Sequence, residues 1–145
     1  MIKLTLIEQK AFQLIASFYG CEVRFVKHSD GGFWYGDWLE MGISHSSVAL
    51  AVSIFCHELA HFHNWKTGKF PQYHNIYNHK QRYRGFKNLD ILAREALKAE
   101  LYTEKIGKVI CQEWFPSIKY VKTYKNNQYY LGLLYGFFMR NQVRN

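Results

Sequence analysis

The sequence predicts an α+β domain: an N-terminal helix, a small antiparallel sheet, a central helix, a long loop, a glutamate-bearing helix and a short C-terminal helix. Three observations carry this expectation. Apolar residues recur at helical spacing in separate stretches, residues 22–43 switch to alternating β-branched and aromatic residues, and residues 69–88 form a polar, irregular tract between the two longest helical stretches. With 145 residues and 48% apolar content, the chain has the size of one domain, 1–145, with its own core.

Residues 5–19, TLIEQKAFQLIASFY, place Leu6, Phe12, Ile15, Ala16 and Phe18 toward one side of a helix, and Gly20 supplies its stop. EVRFVKH favours a strand, SDGG a turn, and FWYGDWLEMGIS further extended chain in which Leu39, Met41 and Ile43 alternate with polar or small neighbours. Two or three antiparallel strands are expected, with WLEMGIS as an edge. Ser46 or Ser47 then caps the central helix, VALAVSIFCHELAHFHNW, which runs without Pro or Gly and stops near Gly68.

Residues 69–88 contain Pro71 and Gly85 and are rich in His, Asn, Tyr and Lys; loops of that length are commonly functional. A third helix follows from about Leu89 to Glu113, stopped by Pro116. QYYLGLLYGFFMR closes the chain as a docking helix, its apolar run being too short to span a bilayer.

Nineteen Lys and Arg against eleven Asp and Glu give a formal charge of +8, which admits nucleic acid or an acidic protein as a partner. The densest basic part, Lys66 to Lys87, interleaves Tyr73, Tyr77, Tyr83 and Phe86, a mixture that can follow a phosphate backbone and also occurs in ordinary solvated loops. Cys21, Cys56 and Cys111 are widely separated and read as reduced, packed thiols. Lys3, Glu8 and Lys10 interrupt the first apolar residues, so no secretory signal is read and a cytoplasmic location is expected.

The chemistry concentrates in CHELAHFH, residues 56–63. Residues four apart share a helix face, so His57 and His61 direct two imidazoles at one point, while Glu58 is turned about 100° from His57 and suits a base rather than a ligand. Two hydrogen-bonded core histidines are the alternative, but rings buried on an apolar stretch each need a polar partner. His63 points away from the pair.

A hydrolytic zinc site takes three protein ligands and leaves one position for water. The third ligand is sought among Glu95, Glu100 and Glu104 on the third helix and His74 and His79 in the loop. On a helical wheel, Arg94, Lys98, Lys105, Lys108 and Gln112 mark the solvent side, and Glu100 is the carboxylate nearest the core face. Ala93, Ala96, Ala99 and Gly107 let that helix approach the His57 helix closely, and Glu104 is placed to accept a hydrogen bond from a ligand histidine. A series of surface ion pairs, Glu100 with Lys105 and Glu104 with Lys108, is the competing arrangement. Tyr73, His74, Tyr77, His79 and Tyr102 are candidate oxyanion donors.

HELAH on a central helix, after an amphipathic helix and a small sheet and before a glutamate-bearing helix with small residues, resembles the minimal gluzincin zinc metallopeptidases of the ImmA/IrrE-like type often carried by phages. The resemblance spans roughly residues 5–115. It implies Zn2+ held by His57, His61 and a downstream glutamate, with Glu58 as general base toward a zinc-activated water that hydrolyses a peptide bond. REALKAELY matches the family's downstream pattern from Glu95, whereas the Glu100, Glu104 spacing is similar to that of larger gluzincins. The SprT-like proteases, with a third histidine and activity near DNA, are the second resemblance, for which His74 or His79 would serve. A basic nucleic-acid- or protein-binding module on a peptidase-like fold is the reading from a different class.

Overall fold

A computed structural model describes residues 1–27, 30–70 and 89–122, the side chains of 89–92 excepted. The C-terminal helix and most of the long loop expected from the sequence lie outside these residues. The architecture is α+β, with the elements in the order β1 (Ile2–Lys3), α1 (Leu6–Phe18), β2 (Glu22–Val26), β3 (Gly32–Trp34), β4 (Trp38–Gly42), β5 (Ser44–His45), α2 (Val48–Lys66) and α3 (Leu89–Trp114).

A capping box starts α1: the Thr5 hydroxyl accepts from the Glu8 amide, and the Glu8 carboxylate accepts from the Thr5 amide. Gly20, at φ +83°, ends the helix in the left-handed region that favours glycine. Phe12 and Ala16 are buried, Phe12 lying flat on Phe55 of α2 at 4.5 Å between ring centroids. Leu6 and Phe18, expected on the same buried side, are 81% and 71% exposed. The stripe through Phe12, Ile15, Ala16 and Tyr19 meets the core; Leu6 opens the first turn, and Phe18 reaches sideways to the Trp114 ring.

The antiparallel pairing expected from the sequence holds for β1 with β5 and for β3 with β4. β2, by contrast, runs parallel to β4, so the three-stranded sheet is mixed and ordered β2-β4-β3. The segment WLEMGIS is therefore central rather than an edge. Its Leu39 and Met41 are fully buried and take the middle position, while the three-residue β3 takes the edge beside α2.

Ser47, one of the two expected caps, accepts a hydrogen bond from the Leu50 amide at the start of α2. This helix is enclosed on most sides, burying Ala51, Val52, Phe55, Cys56, Leu59, Ala60 and Phe62. It is therefore the axis of the core. α3 lies along it, burying Ala93, Ala96, Ala99, Thr103, Ile110 and Cys111, with Arg94, Lys98, Lys105, Lys108 and Gln112 in solvent as the wheel requires. Beyond Trp114 the chain doubles back, and the Val121 amide donates to Ser53 Oγ of α2 at 2.8 Å. Among the described residues, no helix is long and apolar enough to cross a membrane.

Candidate metal centre

His61 follows His57 by four positions, about one helical turn, and both rings face α3. Across the interface Glu100 turns its carboxylate between them: one oxygen, Oε2, lies 3.1 Å from His57 Nε2 and 3.2 Å from His61 Nε2. All three residues are buried, and their donor atoms fall within 4.8 Å of one another. Donors bonded at about 2.0–2.1 Å to a tetrahedral ion stand roughly 3.3 Å apart, so the two short separations match one vertex of such a site. These three side chains fit a metal ion.

Electrostatics supports the same reading. Burial works against charge on Glu100, but His61 and His57 outweigh it and hold the carboxyl well below its usual range. Burial likewise opposes charge on His57, yet the bond to Glu100 and the neighbouring Glu104 carboxylate raise its pKa well above the ordinary value. Without an ion these shifts favour a protonated His57 beside an ionised Glu100. A divalent cation replaces that proton.

Glu104 backs the site. Its Oε1 lies 2.8 Å from His57 Nδ1, in a bent approach, and accepts a hydrogen bond of 2.9 Å from the Tyr120 hydroxyl. A carboxylate on Nδ1 favours the tautomer that leaves Nε2 free to bind a metal. On the wheel Glu104 lies farther from the core face than Glu100, yet it is as buried as His57. The returning chain covers it, and Tyr120 is the residue that the sequence did not single out. One turn beyond His61, Asn64 donates to the Thr103 hydroxyl at 3.0 Å and ties the helices together again.

Glu58 is half-buried and close to both histidines. Enclosure by protein raises its pKa, an effect that the two histidines and a hydrogen bond from the Trp34 backbone amide reduce. Trp34 is held in turn: its indole Nε1 donates to the Gly36 carbonyl at 2.7 Å, and its ring stacks on His61 with centroids 5.7 Å apart. The edge strand thus touches both the candidate base and one candidate ligand. No sequence pattern marked Trp34.

Other candidates fall elsewhere. Glu95 is at the surface, 3.3 Å from Lys98 Nζ, and does not join the cluster. The ion pairs considered for Glu100 and Glu104 are not formed, since Lys105 and Lys108 face solvent while both glutamates face inward. His63 packs edge-on against Tyr19 and points away from the pair, as expected. Tyr102 packs on Phe70. His74, His79, Tyr73, Tyr77 and the densest basic stretch beyond Phe70 lie outside the described residues.

No protein-family model, curated protein or solved structure matches the chain. What the site can do therefore rests on its own geometry. That geometry offers two imidazole nitrogens and one carboxylate oxygen, a donor set suited to zinc and other first-row divalent ions.

Proposed function

We propose that the chain is a zinc-dependent metallopeptidase in which His57, His61 and Glu100 hold the ion and Glu58 is the general base. The observation that carries this is the meeting of three buried donors with a fourth, half-buried carboxylate one residue from the first histidine. When bound, zinc supplies Lewis acidity, polarising a peptide carbonyl and bringing the pKa of a water toward neutrality.

Glu58 then takes the proton of the attacking water on its carboxylate and passes it to the departing amine. Enclosure by protein disfavours the charge on Glu58, which favours its taking up a proton during the reaction. The Trp34 backbone amide lies near enough to the carboxylate to favour its charged form. Glu104 and Tyr120 fix the ring of His57 from behind.

β3 supports an extended substrate. The Tyr35 amide bonds to the Trp38 carbonyl and the Gly42 amide to the Gly31 carbonyl, so by antiparallel alternation Gly32 and Trp34 turn their backbone groups away from β4, toward the outer edge. A peptide adding there as a further strand lies beside Glu58. The chemistry agrees with the resemblance of HELAH and its surroundings to ImmA/IrrE-like peptidases.

The test is Glu58→Gln. The variant is expected to bind zinc as the parent does and to lose peptide cleavage; cleavage at the parent rate overturns the mechanism.

A further inference from the structure

Taking as given the reading of the chain as a peptidase whose substrate adds to β3, we propose that the outer face of its sheet selects extended segments carrying arginine or lysine. The positions selected are those that pair with Phe33 and Tyr35.

Trp34 points inward to His61, so its neighbours Phe33 and Tyr35 point outward, 59% and 46% exposed. Their rings are stacked at 5.6 Å, and Tyr35 lies on Trp38 at 4.5 Å, giving a continuous aromatic surface along the sheet. Exposed aromatic rings of this extent are uncommon without a partner.

Charge decides which partner. The chain as a whole carries +8, yet on this face of the sheet Glu22 and Glu40 stand against Arg24. Arg24 is paired with Glu22 at 3.1 Å; Glu40, directly opposite Arg24 on the neighbouring strand, has no ion pair among the described residues. Glu40 is the cross-strand partner of Phe33 on the same face. Rings with an unpaired carboxylate beside them attract cations and repel acidic chains.

The molecule already contains one such contact. Arg24 on β2 extends over the Trp38 ring of the adjacent strand β4, with its guanidinium carbon 4.1 Å from the centroid. A peptide on the open side of β3 stands to Phe33 and Tyr35 as β2 stands to Trp38. Residues directly opposite one another share a face, so every second side chain of the peptide falls on these rings, and its alternates face Trp34 and the metal centre.

The experiment uses the full-length Glu58→Gln protein loaded with zinc, at physiological salt. Two extended peptides are titrated calorimetrically, one alternating Arg with Ser and one alternating Glu with Ser. The arginine peptide is expected to bind about tenfold more tightly, as two cation–π contacts imply, and Phe33→Thr with Tyr35→Thr is expected to erase the difference. Circular dichroism verifies that this double variant is folded, and Glu40→Gln tests the carboxylate separately by reducing the preference. Equal affinities, no binding of either peptide, or a preference that survives the double variant overturns the proposal.

The parent protein with the same peptides separates this idea from the reading beneath it. Equal cleavage of both peptides removes the selectivity and leaves the peptidase. Binding of the arginine peptide without cleavage leaves the surface and removes the peptidase.

Discussion

Gly107 of α3 faces His57 so closely that a methyl group in place of its hydrogen would sit 3.2 Å from the His57 Cα. The same methyl would meet the Cys56 carbonyl oxygen at 3.3 Å and the Tyr120 hydroxyl at 3.1 Å. Two of these three neighbours are backbone and yield only if a helix moves. Gly107→Ala is expected to cost about 1–3 kcal/mol and to weaken zinc binding by drawing Glu100 away from the histidines. Thermal unfolding with and without zinc measures both effects.

Tyr120→Phe removes one hydroxyl and leaves the ring. Glu104 loses its hydrogen-bond donor at 2.9 Å and with it part of the support behind His57. Zinc affinity is expected to fall about tenfold, the lower end for an outer partner of a ligand, as read by competition with a chelator. An unchanged affinity would show that Glu104 holds His57 without help.

Alanine substitutions separate the glutamates of α3. Glu100→Ala is expected to empty the site, seen as loss of bound metal after dialysis. Glu95→Ala, at a solvent-facing ion pair, is expected to leave metal content unchanged and stability within about 0.5 kcal/mol. The reverse pattern would transfer the ligand role to Glu95.

The metal-free protein should bind zinc more tightly as pH rises. His57 has a raised pKa, so it keeps its proton to higher pH than an ordinary imidazole, and each zinc ion bound displaces that proton. Affinity should climb about tenfold per pH unit up to the raised pKa and then level off. Without metal the signs are these: the His57 contribution to stability is full below its ordinary value of about 6.5 and is lost as pH rises through the raised one. The Glu100 contribution is full above its ordinary value of about 4.3 and is lost as pH falls through the lowered one. Calorimetric titration in buffers of different ionisation enthalpy counts the released proton.

The sequence carried the local parts of this arrangement. His57, Glu58 and His61 belong to one helix, so their relative directions follow from 3.6 residues per turn, and Glu100 was legible because α3 separates its charges cleanly from its alanines. Glu104 was harder. A wheel assumes one covering surface, whereas here the chain after Pro116 folds back and brings Tyr120 onto the flank. Strand order was not legible either, because β4 enters between β2 and β3 according to burial of Leu39 and Met41 rather than order along the chain. Trp34 reached the site by the same rearrangement. Leu6 and Phe18 show the converse: apolar spacing marked them, but α1 is too narrowly covered to bury them.

The indole of Trp34, lying on the His61 ring, makes the protein its own optical probe. Copper(II) or cobalt(II) bound at that imidazole should quench tryptophan emission through their partly filled d shells, and zinc, with a filled shell, should not. Displacing the quencher with zinc would then restore the light, giving a label-free titration of the site that Trp34→Phe should silence.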